Sequence, residues 1–437
     1  MFGMQMGQMG GVGQMTLAQR IAYMFANSEQ GAWYDPSDMS TLWQDSAGTT
    51  PVTAVEQPVG LMLDKSGRDN HASQATTTKR PVLSRRVNLL TKTEQFDDAA
   101  WTKAGTTVTA NAIAAPDGLT TADKLVEGAI TGLQRVAQTF TVVNTTEYTF
   151  SVYVKAAERS WVALQLSTGF ASTPAAYFNL ATETIGTQTG SPQATMQSAG
   201  NGWYRCTIKA TSNASGPGAT PYIYVCSADG VVSYAGNGTS GIHIWGASLT
   251  LAADAHLPYQ WVNTATDYDA DPAKFPAYLR FDGVDDAMLT GNIDFTGTDK
   301  MTVWAGVTKL SDAAVALIAE FGNLPPSGWF YLAAPNSVGP TFGFSTKGTA
   351  SGTATPTGHA APKSVVLAGI GDIAGDIASL RVNGAATTAN TDQGTGNYGN
   401  YPLYIGARAG TSLPFNGRLC SLIVRGAATP LPQIEVV

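Results

Sequence analysis

The sequence predicts an all-β protein of two antiparallel β-sandwich (jelly-roll) domains, with a short N-terminal arm and helix. Three observations lead to this class. Short runs rich in Val, Ile, Thr, Tyr, Phe and Trp alternate with Gly, Asn and Ser turns along most of the chain. A helical period of apolar residues is almost absent. Charged residues are only 13% of the 437 residues, so uncharged polar residues and Gly must supply most of the wetted surface.

The first predicted segment is residues 1–32. Residues 1–15 are a low-complexity arm of Met, Gly and Gln with too little apolar bulk to fold alone. TLAQRIAYMFAN follows, with Thr16 as N-cap and apolar residues at helical spacing, so it predicts a short amphipathic helix. Two interpretations are open: a helix that lies on its own domain, or an anchor inserted into another protein. We favour the anchor, whose predicted contact residues are Met4, Met6, Met9, Leu17, Ile21, Met24 and Phe25.

Three further segments follow, because a chain of this length needs more than one core. Residues 33–87 are rich in Pro, Asp, Gly and Thr and predict a loop-rich collar. Strand-like runs such as YTFSVYVKA, SWVALQLS and PYIYVCSA predict a jelly roll over residues 88–263. A second series, from YLRFDG to GRLCSLIVRG, predicts another sandwich over residues 264–437.

Charge and cysteine content exclude several classes of protein. The net charge of −7 argues against nucleic acid as a partner, because neutralising phosphates needs a basic surface. No run of 18 apolar residues and no signal-peptide pattern occur, so we expect a soluble product without membrane insertion. Cys206, Cys226 and Cys420 have no metal-binding spacing; the first two either pair or remain buried thiols. No cofactor is expected.

The stretch YLRFDGVDDAML places three carboxylates after a strand. Alternation puts Leu279 and Phe281 on one face, and Asp282 with the following Gly supplies turn chemistry. We interpret Asp282, Asp285 and Asp286 as a turn between strands, with a calcium site as the alternative. The four histidines are scattered, and no GxSxG, P-loop or HExxH motif is present. These patterns predict that the chain is not an enzyme.

Two regions resemble known modules of bacteriophage proteins. RFDGVDD, MTVWAGVTK, SLRVNGA, YPLYIGAR and FNGRLCSLIVRG, within 278–426, resemble a concanavalin A-like (laminin G-like) sandwich of phage fibre and tail proteins. NLLTKTEQFDDAAW, YTFSVYVKA, NGWYRCTIKA and IHIWGASLTLAADAHLPYQWV, within 88–262, resemble a carbohydrate-binding-module-like jelly roll of phage structural proteins. The collar is similar to a segment that precedes the laminin G-like unit. This implies that the jelly roll is inserted and that the collar packs with the C-terminal domain. Members often continue in a short helix, whereas this chain stops at TPLPQIEVV.

The resemblance implies a fibre, spike or decoration protomer on the exterior of a phage head or tail, made in the bacterial host cytoplasm. It implies a homotrimer whose N-terminal arms attach to capsid, portal-adaptor or tail proteins and whose sandwiches bind host-surface polysaccharide. Two alternatives remain: a purely structural decoration protein without ligand, and a capsule-polysaccharide depolymerase. The concanavalin-like glycosidases carry a Glu-x-Asp-x-x-Glu motif that is missing from this sequence, which disfavours the depolymerase.

Aromatic residues beside turns are the candidates for glycan binding, since a sugar's C–H face stacks on a ring while its hydroxyls bond polar groups. In GWYRCTI, alternation puts Tyr204, Cys206 and Ile208 in the core and leaves Trp203 and Arg205 on the other face. Core packing is the alternative for each ring. The predicted glycan-binding residues are Trp161, Tyr177, Trp203, Arg205, Tyr222, Trp329 and Tyr331.

Overall fold

The computed structural model describes residues 16–429, and strands dominate them, which confirms the predicted all-β class. The chain divides into two compact units. Unit 1 joins the N-terminal part, up to Ser84, to the part from Pro276 onward, and unit 2 is Arg85–Phe275. Within the described range, no helix has the length and apolarity needed to cross a membrane.

The N-terminal part of unit 1 contains one short helix and five short strands among its described residues. Their bounds are α1 Leu17–Tyr23, β1 Gly31–Tyr34, β2 Leu42–Trp43, β3 Leu61–Met62, β4 Ala72–Ser73 and β5 Val82–Ser84. Single 3-10 turns occur at Met39–Thr41 and Thr77–Lys79. The predicted collar therefore contains strands as well as loops.

Unit 2 is built from fifteen strands and ends with a 3-10 turn at Ala252–Asp254. The first eight strands are β6 Thr102–Ala104, β7 Thr106–Ile113, β8 Ala122–Glu127, β9 Thr131–Leu133, β10 Arg135–Ala137, β11 Phe140–Val142, β12 Glu147–Ala156 and β13 Trp161–Ser167. The other seven are β14 Ala175–Asn179, β15 Thr184–Thr189, β16 Gln193–Gly200, β17 Trp203–Thr211, β18 Gly216–Cys226, β19 Ser233–Ala235 and β20 Gly241–Leu251.

The C-terminal part of unit 1 adds twelve strands. The first six are β21 Tyr278–Asp282, β22 Met288–Asp294, β23 Lys300–Lys309, β24 Leu317–Phe321, β25 Trp329–Ala333 and β26 Gly343–Lys347. The last six are β27 Ser351–Ala354, β28 Lys363–Asp372, β29 Ile377–Val382, β30 Ala385–Ala389, β31 Asn400–Ile405 and β32 Asn416–Arg425.

Unit 1 is a sandwich of two antiparallel sheets, and the collar contributes to both. Sheet I has eight strands in the order β30-β29-β28-β23-β32-β21-β5, with β1 also paired to β32. Sheet II has nine strands in the order β2-β3-β4-β22-β31-β24-β25-β26-β27. Inward-facing residues of both sheets form one apolar cluster that includes Leu83, Phe281, Phe330 and Leu422. The collar is therefore part of this sandwich and not a separate layer.

Unit 2 is also built from antiparallel sheets. Sheet III has seven strands in the order β15-β14-β13-β18-β10-β6, with β11 also paired to β18. Sheet IV has six strands in the order β16-β17-β12-β20-β8-β7, and β9 pairs with β19 in a separate ribbon. Alternation places Val162, Leu164 and Ile223 of sheet III, and Val152 and Ile208 of sheet IV, at fully buried positions. The side chains between them point to the opposite face of each sheet.

Helix α1 begins with the cap that its sequence predicts. The Thr16 hydroxyl accepts the Gln19 N–H at 3.2 Å, and the Gln19 side chain accepts the Thr16 N–H at 2.9 Å, which completes a capping box. Apolar residues of the helix and its C-terminal turn are buried on the outer face of sheet I. The cluster consists of Ile21, Met24, Phe25, Trp33, Trp304, Ala368 and Ile423.

The two strand cysteines of unit 2 do not pair. Cys206 and Cys226 are both buried free thiols, and they lie in β17 of sheet IV and β18 of sheet III. Burial raises the pKa of both thiols well above the ordinary value. Of the two possibilities the sequence left open, the structure has the buried thiols.

Candidate functional site

Three of the predicted glycan-binding residues meet on the outer face of sheet III. In β18, Tyr222 and Tyr224 point away from the core, because Ile223 and Val225 between and after them are fully buried. Strand pairing places Tyr224 opposite Arg135 of β10 on one side and Ala163 of β13 on the other. The face continues across β14. We call it the Arg135 face and define it by Arg135, Trp161, Gln165, Tyr177, Tyr222 and Tyr224.

The polar groups of the Arg135 face are held in a fixed arrangement. Arg135 Nη1 donates to the Tyr224 hydroxyl at 2.7 Å, and that hydroxyl donates to Gln165 Oε1 at 2.9 Å. The guanidinium of Arg135 lies over the Tyr222 ring, with its central carbon 4.0 Å from the ring centroid. The Tyr222 and Tyr224 rings are 5.7 Å apart. Flat rings and oriented hydrogen-bonding groups thus lie side by side, which is the combination a sugar needs.

Burial raises the pKa of two phenols of this face, those of Tyr177 and Tyr224. It raises the pKa of Tyr177 to about 12, and the neighbouring Cys226 and Tyr224 raise it further. Burial also raises the pKa of Tyr224, although the hydrogen bond from Arg135 and its positive charge oppose that change. Like any tyrosine hydroxyl, both are neutral near pH 7 and can donate a hydrogen bond, and the raised pKa extends this state to higher pH.

The far end of the face is closed by Trp161 and the chain around Asp229. Asp229 accepts the Thr187 N–H at 2.9 Å, and so holds β15 against the end of the sheet. A Cβ at Gly186 would lie 2.5 Å from the Asp229 carboxylate and 2.8 Å from the Trp161 ring, so the absence of a side chain there allows this close approach. Trp161 itself is half-buried. The indole is therefore held by its surroundings and remains partly open to solvent.

Two other predicted residues, Trp329 and Tyr331, lie in unit 1, on the outer face of sheet II. Their rings are stacked at 5.8 Å with an interplanar angle of 12°. Lys347 lies over Trp329 and Arg408 lies over Tyr331. Trp329 is only 7% exposed. We call this surface the Trp329 face and define it by Glu320, Trp329, Tyr331, Lys347 and Arg408.

The charge of Arg408 on the Trp329 face is neutralised within the protein. Arg408 Nε donates to Glu320 Oε1 at 2.8 Å, and the Ala409 N–H contacts the other carboxylate oxygen at 3.3 Å. Glu320 is fully buried. Burial raises the pKa of Glu320, and Arg408 opposes that rise. The pair therefore serves to hold residues 408 and 409 onto sheet II.

The prediction that Trp203 binds glycan is wrong. Alternation was right about the side, since Cys206 and Ile208 are buried in the core and Trp203 points the other way. That other face of sheet IV is covered, however, by the chain between β7 and β8. Trp203 is 1% exposed, and its Nε1 donates to the Ala114 carbonyl at 3.2 Å. The indole has no surface free for a sugar.

Arg205 also lies on sheet IV and not on the Arg135 face. Its Nε donates to the Ser151 hydroxyl at 3.2 Å, and its guanidinium is 5.8 Å from the Tyr153 ring centroid. Tyr204, predicted for the core, is half-buried and donates its hydroxyl to Glu183 at 2.6 Å. The structure therefore separates Arg205 from Trp161, Tyr177 and Tyr222.

Glu94 is a carboxyl that the sequence did not single out, and it lies beside the aromatic residues of sheet IV. The Tyr259 hydroxyl donates to Glu94 Oε1 at 3.1 Å, and the Tyr259 ring is 4.8 Å from the Trp245 ring. Burial raises the pKa of Glu94 to about 7. No Lys or Arg in the described part of the chain forms an ion pair with it. Glu94 is thus a half-buried acid that forms no ion pair with the described residues.

The three aspartates after β21 form the hydrogen bonds of a turn. Asp282 Oδ1 accepts the N–H of Val284 at 2.8 Å and of Asp285 at 3.3 Å, and Asp286 Oδ2 accepts the Asp282 N–H at 3.0 Å. Their carboxylates also lie within 4.8 Å of one another, so they are the residues that could hold a metal ion. Burial raises the pKa of Asp286 to about 6, and Asp282 and Asp285 add to the rise. The turn interpretation agrees with these contacts, and the calcium site stays an alternative.

The predicted anchor residues divide into two groups. Met4, Met6, Met9 and the side chain of Leu17 lie outside the part of the chain that the structure describes. Ile21, Met24 and Phe25 are buried against unit 1, so they are not free to insert into another protein. Arg425 fixes this arrangement, since it donates to the Met24 carbonyl at 2.7 Å and pairs with Glu29 at 2.7 Å. For these three residues the anchor prediction is wrong, because sheet I supplies their contacts.

Sequence reasoning missed Arg135, Gln165 and Tyr224, which complete the Arg135 face. The signal for Tyr224 was present, because YIY places two tyrosines two residues apart on one strand face. Arg135 and Gln165 lie in the runs QRVAQTF and VALQLS, where they alternate with buried apolar residues. What the sequence lacks is the pairing of the three strands that brings these residues together.

The fold can be compared with known proteins. No family model and no curated protein matches the chain. Among solved structures, the CBM40 domain of the Ruminococcus gnavus IT-sialidase bound to alpha2,3 sialyllactose is 19% identical, with 30% of this chain and 78% of that chain covered and a TM-score of 0.26. The botulinum neurotoxin serotype D ligand-binding domain in complex with N-acetylneuraminic acid is 11% identical, with 36% and 41% covered and a TM-score of 0.29. These neighbours bind sugars, but likeness at this level assigns no ligand to this chain.

Proposed function

We propose that the chain binds glycans through the Arg135 face of unit 2. The observation that carries this proposal is the arrangement of Arg135, Tyr222 and Tyr224 with Gln165 on one outward strand face. The Tyr222 ring offers a flat apolar surface, while Arg135 and Gln165 offer a donor group and an amide that are held in place by their hydrogen bonds to the buried Tyr224 hydroxyl. Preorganised groups bind more tightly, because less side-chain entropy is lost on binding.

Four of the six residues of the Arg135 face remain partly exposed to solvent, whereas Tyr177 and Tyr224 are buried beneath them. Arg135, Trp161, Gln165 and Tyr222 are each neither fully exposed nor enclosed. Side chains in this state can lose their remaining water to a ligand without any change of the fold. Ligand sites in general combine aromatic walls with a few fixed polar groups, as this surface does.

The proposed activity is binding without turnover. The outward side chains of β10, β13, β14 and β18 comprise rings, an arginine, amides and small residues, with no carboxylate among them. Hydrolysis of a glycosidic bond generally uses two carboxyl groups on either side of the sugar. Neutral, hydrogen-bonded phenols and a stacked guanidinium suit recognition instead.

We also propose that the glycan is displayed on a host surface and that this chain lies on the exterior of a phage particle, as a trimeric fibre, spike or decoration protomer. This part rests on the resemblance of residues 88–262 and 278–426 to phage modules. Many copies on one particle would then multiply a modest affinity per site. Residues 1–15 remain the proposed attachment segment, since the helix that follows them is buried on sheet I.

The glycan proposal is tested with a glycan array and with titration of the strongest binder. Tyr222→Ala removes the ring that Arg135 stacks on, and we expect the affinity to fall at least tenfold, about 1.4 kcal/mol. The matched control is Tyr331→Ala, which removes a ring of the same type from the Trp329 face. We expect this variant to keep the affinity of the parent protein. Binding that survives Tyr222→Ala and is lost in Tyr331→Ala would overturn the assignment to unit 2.

Attachment is tested by deletion of residues 1–15 alone. A longer deletion that includes residues 21–25 would also uncover Trp33, Trp304 and Ile423, and so would confuse loss of attachment with loss of stability. The shorter deletion should give a folded protein that still binds glycan but no longer sediments with particles. Undiminished co-sedimentation would refute this attachment segment.

A further inference from the structure

The guanidinium of Arg135 is the charged group of the Arg135 face, and its partners bear on the class of glycan that could bind there. Arg135 is half-buried, and within the described chain no carboxylate forms an ion pair with it. Within the described chain, the guanidinium donates one hydrogen bond, to the neutral Tyr224 hydroxyl. A guanidinium has five N–H donors, so most of its hydrogen-bonding capacity is unused.

Three other arginines of the molecule pair with carboxylates of the protein. Arg159 in unit 2 forms two bonds of 2.7 Å to the fully buried Glu127. In unit 1, Arg408 pairs with Glu320 and Arg425 pairs with Glu29. In each case a carboxylate of the same unit neutralises the cation. Arg135 differs from these three arginines. It contacts the Tyr222 ring and the Tyr224 hydroxyl, which are both neutral, so its positive charge stays available for a ligand.

We infer that the Arg135 face recognises an acidic glycan, with a sugar carboxylate bound to the guanidinium of Arg135. This inference rests on the proposed glycan-binding function and adds the class of sugar. Arginine suits the role because its planar fork can bind both oxygens of one carboxylate. The contact with the Tyr222 ring and the hydrogen bond to the Tyr224 hydroxyl hold the guanidinium at this position.

The two ends of the face differ in charge, which orients the ligand. Asp229, an exposed carboxylate, lies next to Trp161 at the end opposite Arg135. Arg135 on β10 and Trp161 on β13 are two strands apart, and Trp161 lies two residues along β13 from Ala163, the residue level with Arg135. Their Cα atoms are therefore about 12 Å apart. That length suits an oligosaccharide. Its acidic sugar would lie at Arg135, while a neutral sugar would stack on Trp161 and donate hydroxyls to Asp229.

Long-range electrostatic attraction would not explain the binding of an acidic glycan to this protein. The protein carries a net charge of −7, so its long-range field repels polyanions. An acidic glycan that binds must therefore gain its affinity from a local contact. This also makes the experiment selective, because any preference for a carboxylate has to come from particular residues.

The test uses pairs of polysaccharides that differ only in their carboxyl groups. Polygalacturonate, alginate, hyaluronan and polysialic acid are each compared with their carboxyl-reduced products, at physiological ionic strength, with the full chain. We expect at least one acidic member to bind tenfold or more tightly than its reduced product. Arg135→Gln should bring that ratio to within about twofold. Arg135→Lys keeps the charge but loses the fork, and should give an intermediate ratio.

Arg205→Gln is the matched control, since Arg205 also lies near a tyrosine ring but belongs to sheet IV; it should leave the ratio unchanged. Circular dichroism and thermal unfolding show whether each variant is folded. Equal binding of acidic and reduced members would overturn the acidic class and leave the glycan proposal standing. No binding to any polysaccharide would overturn both. Equally tight binding of poly-glutamate would show that the face recognises carboxylates of peptides, which would overturn the assignment to sugars.

Discussion

The Arg135 face and the Trp329 face carry the same kinds of side chain and differ in how their charges are satisfied. Both contain a tryptophan, a tyrosine and an arginine above a tyrosine ring. On the Trp329 face, the arginine pairs with a fully buried glutamate and the tryptophan is 7% exposed. On the Arg135 face, the arginine has no acid and the tryptophan is half-buried. The first arrangement stabilises unit 1, and the second leaves groups free for a ligand.

Residue type alone therefore does not identify a binding site. An aromatic ring with a cation is found on both surfaces, and sequence patterns treat them alike. The useful distinction is whether the cation and the ring are satisfied by the protein itself. This distinction gives four predictions, in order of expected effect.

The largest effect is expected when the two tryptophans are compared. Trp329→Ala should lower the free energy of unfolding by about 4 kcal/mol, because truncating a buried aromatic residue removes its contacts and leaves a cavity. Trp161→Ala should cost about half as much, since Trp161 is half-buried. Urea unfolding followed by circular dichroism measures both losses. Equal losses would remove the structural difference between the faces.

The next effect concerns the buried ion pair. Arg408→Gln should lower the free energy of unfolding by about 3 kcal/mol at pH 8, because it leaves the Glu320 carboxylate buried without its partner. Without Arg408 the pKa of Glu320 rises further above that of the unfolded chain. The folded variant then binds a proton more tightly than the unfolded chain, so the loss of stability should be smaller at pH 5 than at pH 8. A loss below about 1 kcal/mol at pH 8 would show that the pair is not structural.

A third prediction concerns Glu94, the half-buried acid that forms no ion pair with the described residues. Its pKa is raised from 4.5 to about 7, so the folded state binds the proton more tightly than the unfolded chain. The resulting stabilisation is complete below about pH 4.5 and is lost as pH rises through about 7. Between pH 5.5 and 8.5, the free energy of unfolding of the parent protein should fall by about 1 kcal/mol relative to that of Glu94→Gln. Parallel stability curves for the two proteins would contradict the raised pKa.

The smallest effect is expected for Arg135. Arg135→Gln should change the free energy of unfolding by less than about 1 kcal/mol, the usual worth of a cation stacked on an exposed ring. The measurement is the same urea unfolding. A loss as large as that of Arg408→Gln would mean that Arg135 is structural, and it would weaken the case for a ligand.

Local patterns of the sequence predicted much of the fold. The alternation in GWYRCTI predicted the inward and outward sides of β17, although Tyr204 on the inward side is only half-buried, and Thr16 is the predicted N-cap of α1. The all-β class followed from the same alternation repeated along the chain. These features depend on neighbours within a few residues, so that a sequence contains them directly.

The site could be predicted only in part, because long-range pairing determines it. Arg135, Ala163 and Tyr224 are dispersed over ninety positions of the chain, and only the register of β10, β18 and β13 puts them in one row. The cover over Trp203 comes from residues near Ala114, which alternation within β17 cannot reveal. The burial of Phe25 likewise depends on partners at distant positions, Trp304 and Ile423. Strand patterns give the side of a residue but not what covers it.

Glycan binding at the Arg135 face is tested most directly by a crystal structure of the chain with the best-binding oligosaccharide from the array. We expect a sugar ring against Tyr222 and a sugar oxygen within hydrogen-bond distance of the Arg135 guanidinium. A sugar bound at the Trp329 face, or beside Arg205 on sheet IV, with nothing on the Arg135 face, would contradict it.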